Sequence, residues 1–324
     1  MKNRYLLIVF ALFIAACESA PSKPYLADSS GNMNNITIVM SKSQWDGVLG
    51  EFVRDELATP YEGLPLDEPR FSLRHLSPKA FSGFGRHGRN IIWFLKDTIN
   101  QFQLVQNQFA SPQLVAIVRG EDDEVMSEYI RENTSLLIRT FQEGERKEKI
   151  RRILKSPTKD NEFESKFFAE ITYPTAYTVV KDTSNFLWIE KPIQKGTMNL
   201  IAYRLTTESF DKKTLNQVVS IRDSIGKLHI PGRLPGTFMI TEKAYLPYFY
   251  KTTLDGQTAY LTKGMWEVKK DFMAGPFVNY IVEDPNNNGE WLAIEGFAFA
   301  PSVSKRDYMF ELNSILSTLK FKKK

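Results

Sequence analysis

Residues 277–299, FVNYIVEDPNNNGEWLAIEGFAF, decide the fold class. Two apolar runs, 277–282 and 291–299, flank a segment, 286–289, whose Asn-Gly end suits the positive φ of a tight reversal. Trp291-Leu292-Ala293-Ile294 and Phe297-Ala298-Phe299 are apolar on both faces, so this strand is expected to be covered on both sides. A second two-residue hairpin signal, Asp255-Gly256, stands upstream. Hairpins in place of short βαβ crossovers predict an α+β protein with antiparallel or mixed sheets layered with helices, not a doubly wound parallel sheet.

Working outward, strands are expected at 177–180, 186–190 and 200–205, after a short helix around 163–171. A helix follows with Leu215, Val218, Ile221, Ile225 and Leu228 facing inward, and another closes the chain with Tyr308, Leu312, Ile315, Leu316 and Leu319 at helical spacing. Proline and polar residues at 156–161 interrupt the periodicity and predict a division between a domain at 36–155 and one at 162–324. The first domain opens with a strand at 36–40. Next come Ser43-Gln44-Trp45-Asp46, read as a capping box, and a helix with Trp45, Val48, Leu49, Phe52 and Val53 on one face. Strands at 71–76, 90–95 and 113–118 precede a helical stretch from 121 to about 154, with Gly144 as its candidate break.

The N-terminus carries an address. Lys2 and Arg4 precede an apolar run, 5–16, that ends in Ile14-Ala15-Ala16-Cys17. That run falls short of the roughly 20 residues needed to span a bilayer, and it reads as a secretory signal with a bacterial lipobox. Residues 1–16 are expected to be removed, Cys17 to take a diacylglycerol, and 17–35, rich in Ser, Pro, Asn and Gly, to form a lipidated flexible tether. Cys17 is the only cysteine, so the chain has no disulfide and no Cys-based metal or catalytic site. Lys and Arg number 42 against 38 Asp and Glu, a balance of +4 that falls to +2 without the signal. Four of the positive charges, Lys320, Lys322, Lys323 and Lys324, crowd the last five positions, so the body is slightly acidic and carries no nucleic-acid footprint.

Several motifs match on paper. Asp284 to Gly289 with Glu295 has EF-hand spacing, but strands flank it where an EF-hand needs helices, so it reads as a hairpin. Glu295 shares a strand face with Trp291, Ala293 and Phe297 and is expected to be a partly buried carboxylate of raised pKa without an identified partner. Gly83-Phe84-Gly85-Arg86-His87-Gly88 matches the dinucleotide fingerprint, yet its strand follows rather than precedes it. Arg86, His87 and Arg89 remain a candidate anion-binding loop. The acidic run 121–124 complements a helix N-terminus, and the basic run 146–155 reads as a solvated helix face. His75, His87 and His229 show no metal-ligand spacing, and no GxSxG, Walker A or SxxK motif is present. No metal or other cofactor is expected. Tyr245, Tyr248, Phe249, Tyr250, Tyr260 and Trp266 surround the Asp255-Gly256 hairpin. If that hairpin projects, Tyr245, Tyr248, Tyr250, Tyr260 and Trp266 are a candidate recognition surface for a glycan or protein.

The block 36–40, 43–57 with Trp45-Asp46, Pro60-Tyr61-Glu62-Gly63-Leu64-Pro65, Glu68-Pro69-Arg70-Phe71 and Arg89-Asn90-Ile91-Ile92 resembles a family of Bacteroidota envelope lipoproteins known only as a domain of unknown function. The resemblance covers nearly the whole mature chain. It implies lipid anchoring at Cys17 and an envelope location, and it brings no catalytic residues. The order of elements over 177–321 is similar to that of PsbP-like α/β/α sandwiches, without a shared motif. The expectation is an envelope lipoprotein on the periplasmic face of the outer membrane, held to the membrane by its lipid. It is expected to act as a non-catalytic binding or adaptor protein for an envelope protein or glycan partner. An enzyme acting on a glycan or phospholipid headgroup is the alternative.

Overall fold

The computed structural model describes residues 26–159, 162–287 and 289–323. The signal, Cys17 and the start of the tether lie outside the described residues. From Ala27 onward the expected tether is already part of the fold. Ala27 and Asp28 pair in parallel with Ala110 and Ser111, and Met33 and Asn34 are buried.

The first region holds β1 (Asn35–Val39), α1 (Lys42–Asp46), α2 (Val48–Leu57), β2 (Ser72–Leu76), β3 (Asn90–Lys96), β4 (Gln101–Gln106), β5 (Leu114–Gly120) and α3 (Asp123–Ile153). Its sheet has the order β2-β1-β3-β5-β4, parallel except for β4. Ile36, Ile38, Ile92 and Val118 on one face pack against Leu49 and Val53 of α2 and Met126, Ile130, Leu137 and Phe141 of α3.

Three local features differ from the sequence expectation. The capping box is Ser41 with Gln44, two residues before Ser43, and Gly47 ends α1 so that Val48 faces solvent. Gly144 does not break α3, which runs unbroken for 31 residues. A Cβ at Gly144 would meet Leu114 Cδ1 at 2.9 Å, so the glycine lets the helix lie close to β5. β4, a half-exposed strand at the sheet edge, lies outside the strands that the sequence predicts. Asp122 caps α3 through its side chain, with Asp123 and Glu124 in the first turn, as the acidic run implied.

The second region begins with α4 (Glu162–Phe167), then β6 (Thr178–Thr183), β7 (Phe186–Ile193), β8 (Gly196–Leu205) and α5 (Leu215–His229). It continues with β9 (Met239–Thr241), β10 (Tyr248–Leu254), β11 (Gln257–Val268), β12 (Ala274–Glu283), β13 (Trp291–Phe299) and α6 (Arg306–Leu316). The sheet is antiparallel throughout, ordered β9-β11-β12-β13-β8-β7-β6, with β10 also paired to β11. Asp255 and Gly256 form the two-residue turn at positive φ.

β13 is buried along all but its last residue. One face meets Leu312, Ile315 and Leu316 of α6, and the other meets Val218 and Ile221 of α5. The protein is therefore α+β, with one mixed and one antiparallel sheet. Leu228 is exposed rather than inward, because α5 turns Val218, Arg222 and Gly226 to the sheet. A Cβ on Gly226 would run into the Met239 carbonyl.

The regions join through the segment 58–71. Lys305, the N-cap of α6, offers no side-chain cap of its own. Glu68 reaches over from the first region and accepts hydrogen bonds from Lys305 N at 2.7 Å and Arg306 N at 2.9 Å. Arg306 donates back to the Pro69 carbonyl and Ser72 Oγ, and Lys149 of α3 pairs with Glu311 of α6 at 3.1 Å. Replacing Glu68 by Ala removes the cap from both donors, with an expected loss of about 1–2 kcal/mol, read as a lower urea midpoint at unchanged slope.

Candidate functional site

A cleft of about 670 Å³ lies where segment 58–71, α3, β11 and α6 meet. Ser135, Ile138, Arg139, Gln142 and Arg146 line it from one stripe of α3 at helical spacing. Tyr61, Glu62 and Arg70 come from the 58–71 segment, Lys263 from β11, and Phe310 and Asn313 from α6. Four cations, Arg70, Arg139, Arg146 and Lys263, thus face two carboxylates, Glu62 and Glu143.

Lys263 Nζ donates to Glu62 at 2.9 Å, and Arg146 holds Glu143 through two hydrogen bonds of 2.7 and 2.8 Å. Burial pushes Glu62 up, but Lys263, Arg70 and the Tyr250 hydroxyl outweigh it and hold the carboxyl below its ordinary range. Hydrogen bonding from Arg146 holds Glu143 low against a smaller effect of burial. Burial raises the Tyr61 hydroxyl well above the ordinary tyrosine range and pushes Tyr280, bonded to Asn313, up to about 12. Both phenols stay protonated. The side chains of Arg70 and Arg139 make no hydrogen bond or ion pair among the described residues.

The opposite side of the Arg139–Glu143 turn borders a second hollow of about 490 Å³, walled by Arg89, Gln113, Leu114, Lys147, Glu148 and Arg151 among others. Burial pushes Glu148 up, yet hydrogen bonds from Arg151 and Arg152 prevail and bring it down to about 2. Among the described residues no cluster of His, Cys, Asp and Glu could hold a metal ion.

The structure separates the residues of the candidate anion loop. Arg89 is not part of a solvent-facing loop. It is buried, and its guanidinium donates to Glu145 at 2.7 and 3.2 Å. Arg86 folds over Phe81 and Phe109 and donates to the Phe81 carbonyl, while His87 lies against Phe84. Gln113 takes up the carbonyls of Arg86 and Gly88.

The aromatic group divides as well. Tyr260 and Trp266 are buried, packed on Phe210 and Trp291 and on Phe297 respectively, because alternation along β11 turns them into the sheet face covered by α5. Tyr248 and Tyr250 stay exposed on β10 and stack on each other, and Tyr245 is half-buried. Tyr250 reaches Glu62, so this edge adjoins the cleft.

Glu295 has a partner after all, Arg222 of α5, at 2.8 to 3.0 Å, with Asn279 donating from β12. Both ions are essentially inaccessible, and Thr241 takes a further proton of Arg222. In the β12–β13 hairpin Asp284 accepts from Asn286 N and Arg204, consistent with a turn rather than a calcium loop.

Residues 156–318 match the family described as Domain of unknown function (DUF4837), about half of the chain, and residues 29–154 match Domain of unknown function (DUF8532). The chain belongs to the DUF4837 family. No curated protein matches it. Among solved structures it is similar to LpqN of Mycobacterium tuberculosis, described as involved in cell envelope biogenesis, at 15% identity and a TM-score of 0.32, over 48% of this chain and 83% of that one. Human StAR-related lipid transfer protein 5 aligns at 8% identity and a TM-score of 0.25, over 44% and 85%. Likenesses this loose carry no functional content. The DUF4837 match spans Lys263, Phe310 and Asn313 of the cleft, and the DUF8532 match spans Tyr61, Arg70 and the α3 stripe.

Two measurements test the electrostatics. Glu295→Leu leaves Arg222 charged and unpaired in the interior and is expected to cost about 3–5 kcal/mol, whereas adding Arg222→Met recovers most of the loss in urea unfolding. The folded pKa of Glu148 lies below the free value, so its stabilisation is complete above pH 4.5 and disappears as pH falls toward 2. Glu148→Gln is expected to lower stability at pH 7 and to flatten the acid limb over that window in a pH series of thermal melts.

Proposed function

We propose that this DUF4837 protein is a lipid-anchored cell-envelope protein that works by binding, and that its cleft receives an acidic group carried by another envelope component. The carrying observation is the pair Arg70 and Arg139 on the wall of a hollow between the regions, two guanidiniums whose side chains make no hydrogen bond or ion pair among the described residues, with Arg70 acting on Glu62 only through its field. Planar guanidinium forks match carboxylate and phosphate, and ligand sites favour such junctions. Lys263 and Arg146 add positive potential, while Ile138, Tyr61 and Phe310 offer apolar wall to the rest of a ligand.

The state of the cleft's acids disfavours one route to hydrolysis, general-acid catalysis by a carboxyl group. Glu62 and Glu143 are both held in the ionised form, which disqualifies them as proton donors near neutrality. The envelope address rests on the signal and lipobox ending at Cys17, and the periplasmic face of the outer membrane is the proposed location. Among the described residues no helix is long and apolar enough to cross a membrane.

Titration calorimetry with inorganic phosphate and with an oligogalacturonate tests the cleft. Arg70→Ala and Arg139→Ala are each expected to weaken binding roughly tenfold or more. Affinity unchanged in the double variant removes the reading. Labelled palmitate should enter the native chain and not Cys17→Ala.

A further inference from the structure

At one end of the large sheet two loops carry apolar side chains into solvent. The β11–β12 turn, 269–273, exposes Phe272 completely, at 103% of its reference area. The loop between α5 and β9, 230–238, exposes Leu234 at 55%. Hydrogen bonds hold both in place. Asp271 N donates to the Val268 carbonyl, Val268 N to Met273, and Phe272 N to the Asp271 carboxylate, with Lys270 at φ 67 making the reversal. Thr237 closes the other loop onto the Leu234 carbonyl through its N–H and its hydroxyl.

The loops are then clamped together. Arg233 donates to both oxygens of Asp271, at 2.8 and 3.2 Å, and Lys269 N donates to the Phe238 carbonyl. Leu234 and Phe272 therefore stand on neighbouring, braced tips. Lys269 and Lys270 precede Phe272 in sequence, Lys269 with its ammonium 5.6 Å from the Phe238 ring centre, and Lys227 with the exposed Leu228 lies in the last turn of α5 just before the second loop. Against these cations the near acids are Asp271, paired with Arg233, and Glu267, one residue before β11's end, with Glu242 bonded to it and Lys243 beside them.

We infer that this tip is a membrane-docking surface, with Phe272 and Leu234 entering the interfacial zone of an anionic bilayer while Lys227, Lys269 and Lys270 meet its headgroups. The apolar side chains sit on projecting tips with lysines around them. Such a shape suits a deformable lipid surface, into which a ring sinks while long cationic stems reach back to phosphate. Charge complementarity selects anionic lipid. The inference rests on the proposed anchoring at a membrane and adds a second contact to it. The diacylglycerol expected on Cys17 would hold the chain to a membrane through a flexible segment, and a basic–apolar contact would orient the body against that surface.

The test uses the acylated chain extracted from envelopes, carrying Phe272→Trp, in vesicles of phosphatidylcholine with or without phosphatidylglycerol. Acylation of Cys17 is scored by mass spectrometry on the same preparation, and the emission of the parent chain is subtracted. With phosphatidylglycerol present, the introduced indole is expected to shift to the blue and to be quenched by bromines on the acyl chains. Lys269→Glu with Lys270→Glu should reduce that quenching roughly tenfold or more. All three positions are exposed, so thermal unfolding is expected to change little. Solvent-like, unquenched emission from an acylated chain overturns the docking surface while the anchored reading stands. Equal quenching in both vesicle types overturns the choice of anionic lipid. A blue shift that appears only with other envelope proteins co-reconstituted overturns the inference in favour of a protein contact.

Discussion

The carboxylate of Glu68 at the N-terminus of α6 is the contact on which the arrangement of the two regions turns. The first N–H groups of a helix must find acceptors, and α6 begins at Lys305 without a capping side chain of its own. Glu68 supplies the acceptor from across the junction, where negative charge is also favoured by the helix dipole. The same segment that brings Glu68 also brings Tyr61, Glu62 and Arg70, and it is tied at its base, with Tyr61 N donating to the Glu68 carbonyl and Arg70 N to that of Thr59. Gly63, at φ +85, passes so close to Lys263 that a Cβ there would lie 3.0 Å from the lysine's own. One wall of the cleft is thereby set by a helix cap.

Each region is pinned internally by a buried ion pair between helix and sheet, and the two pairs are reversed in sign. In the first, the helix supplies Glu145, which accepts from Arg89, Asn90 and the Asn34 N–H. In the second, the helix supplies Arg222 and the strand supplies Glu295. Burying an ion is unfavourable enough that each helix has one position that pairs its charge, and sliding either helix by a turn would leave two ions desolvated without partners. The Arg222 guanidinium also lies 3.8 Å over the Phe277 ring, which narrows that position further.

What the sequence revealed and what it hid follow from the range of the forces involved. The Asp255-Gly256 turn, the strand β13 buried on both faces and the closing helix are local signatures, written in turn chemistry and periodicity. The partner of Glu295 lies 73 residues away, and the cleft draws on four segments spread over more than 200 positions. A usable signal did exist. Arg222 follows Val218 by four residues on the apolar stripe of α5, and Glu145 follows Phe141 by four on that of α3. A charge on a buried stripe demands an opposite charge across the core, and Arg89 could have been recognised as such an answer. Whether Tyr260 and Trp266 face solvent or core is not legible in the sequence, because proximity to a hairpin says nothing about which face alternate residues take.

The formal charge of +4 conceals a sorting of charges by accessibility. Arg89 and Arg222 neutralise single carboxylates in the core, where salt reaches them poorly. Arg70 and Arg139 stand at an open hollow without an ion pair among the described residues, and there mobile ions compete within a Debye length of about 8 Å at physiological strength. Ionic strength should therefore act on the two populations separately, leaving the fold nearly untouched while weakening any anion held in the cleft. Arg89 and Arg222 are each held by a carboxylate in the core, whereas neither Arg70 nor Arg139 forms an ion pair among the described residues. Their partner is best sought outside the chain.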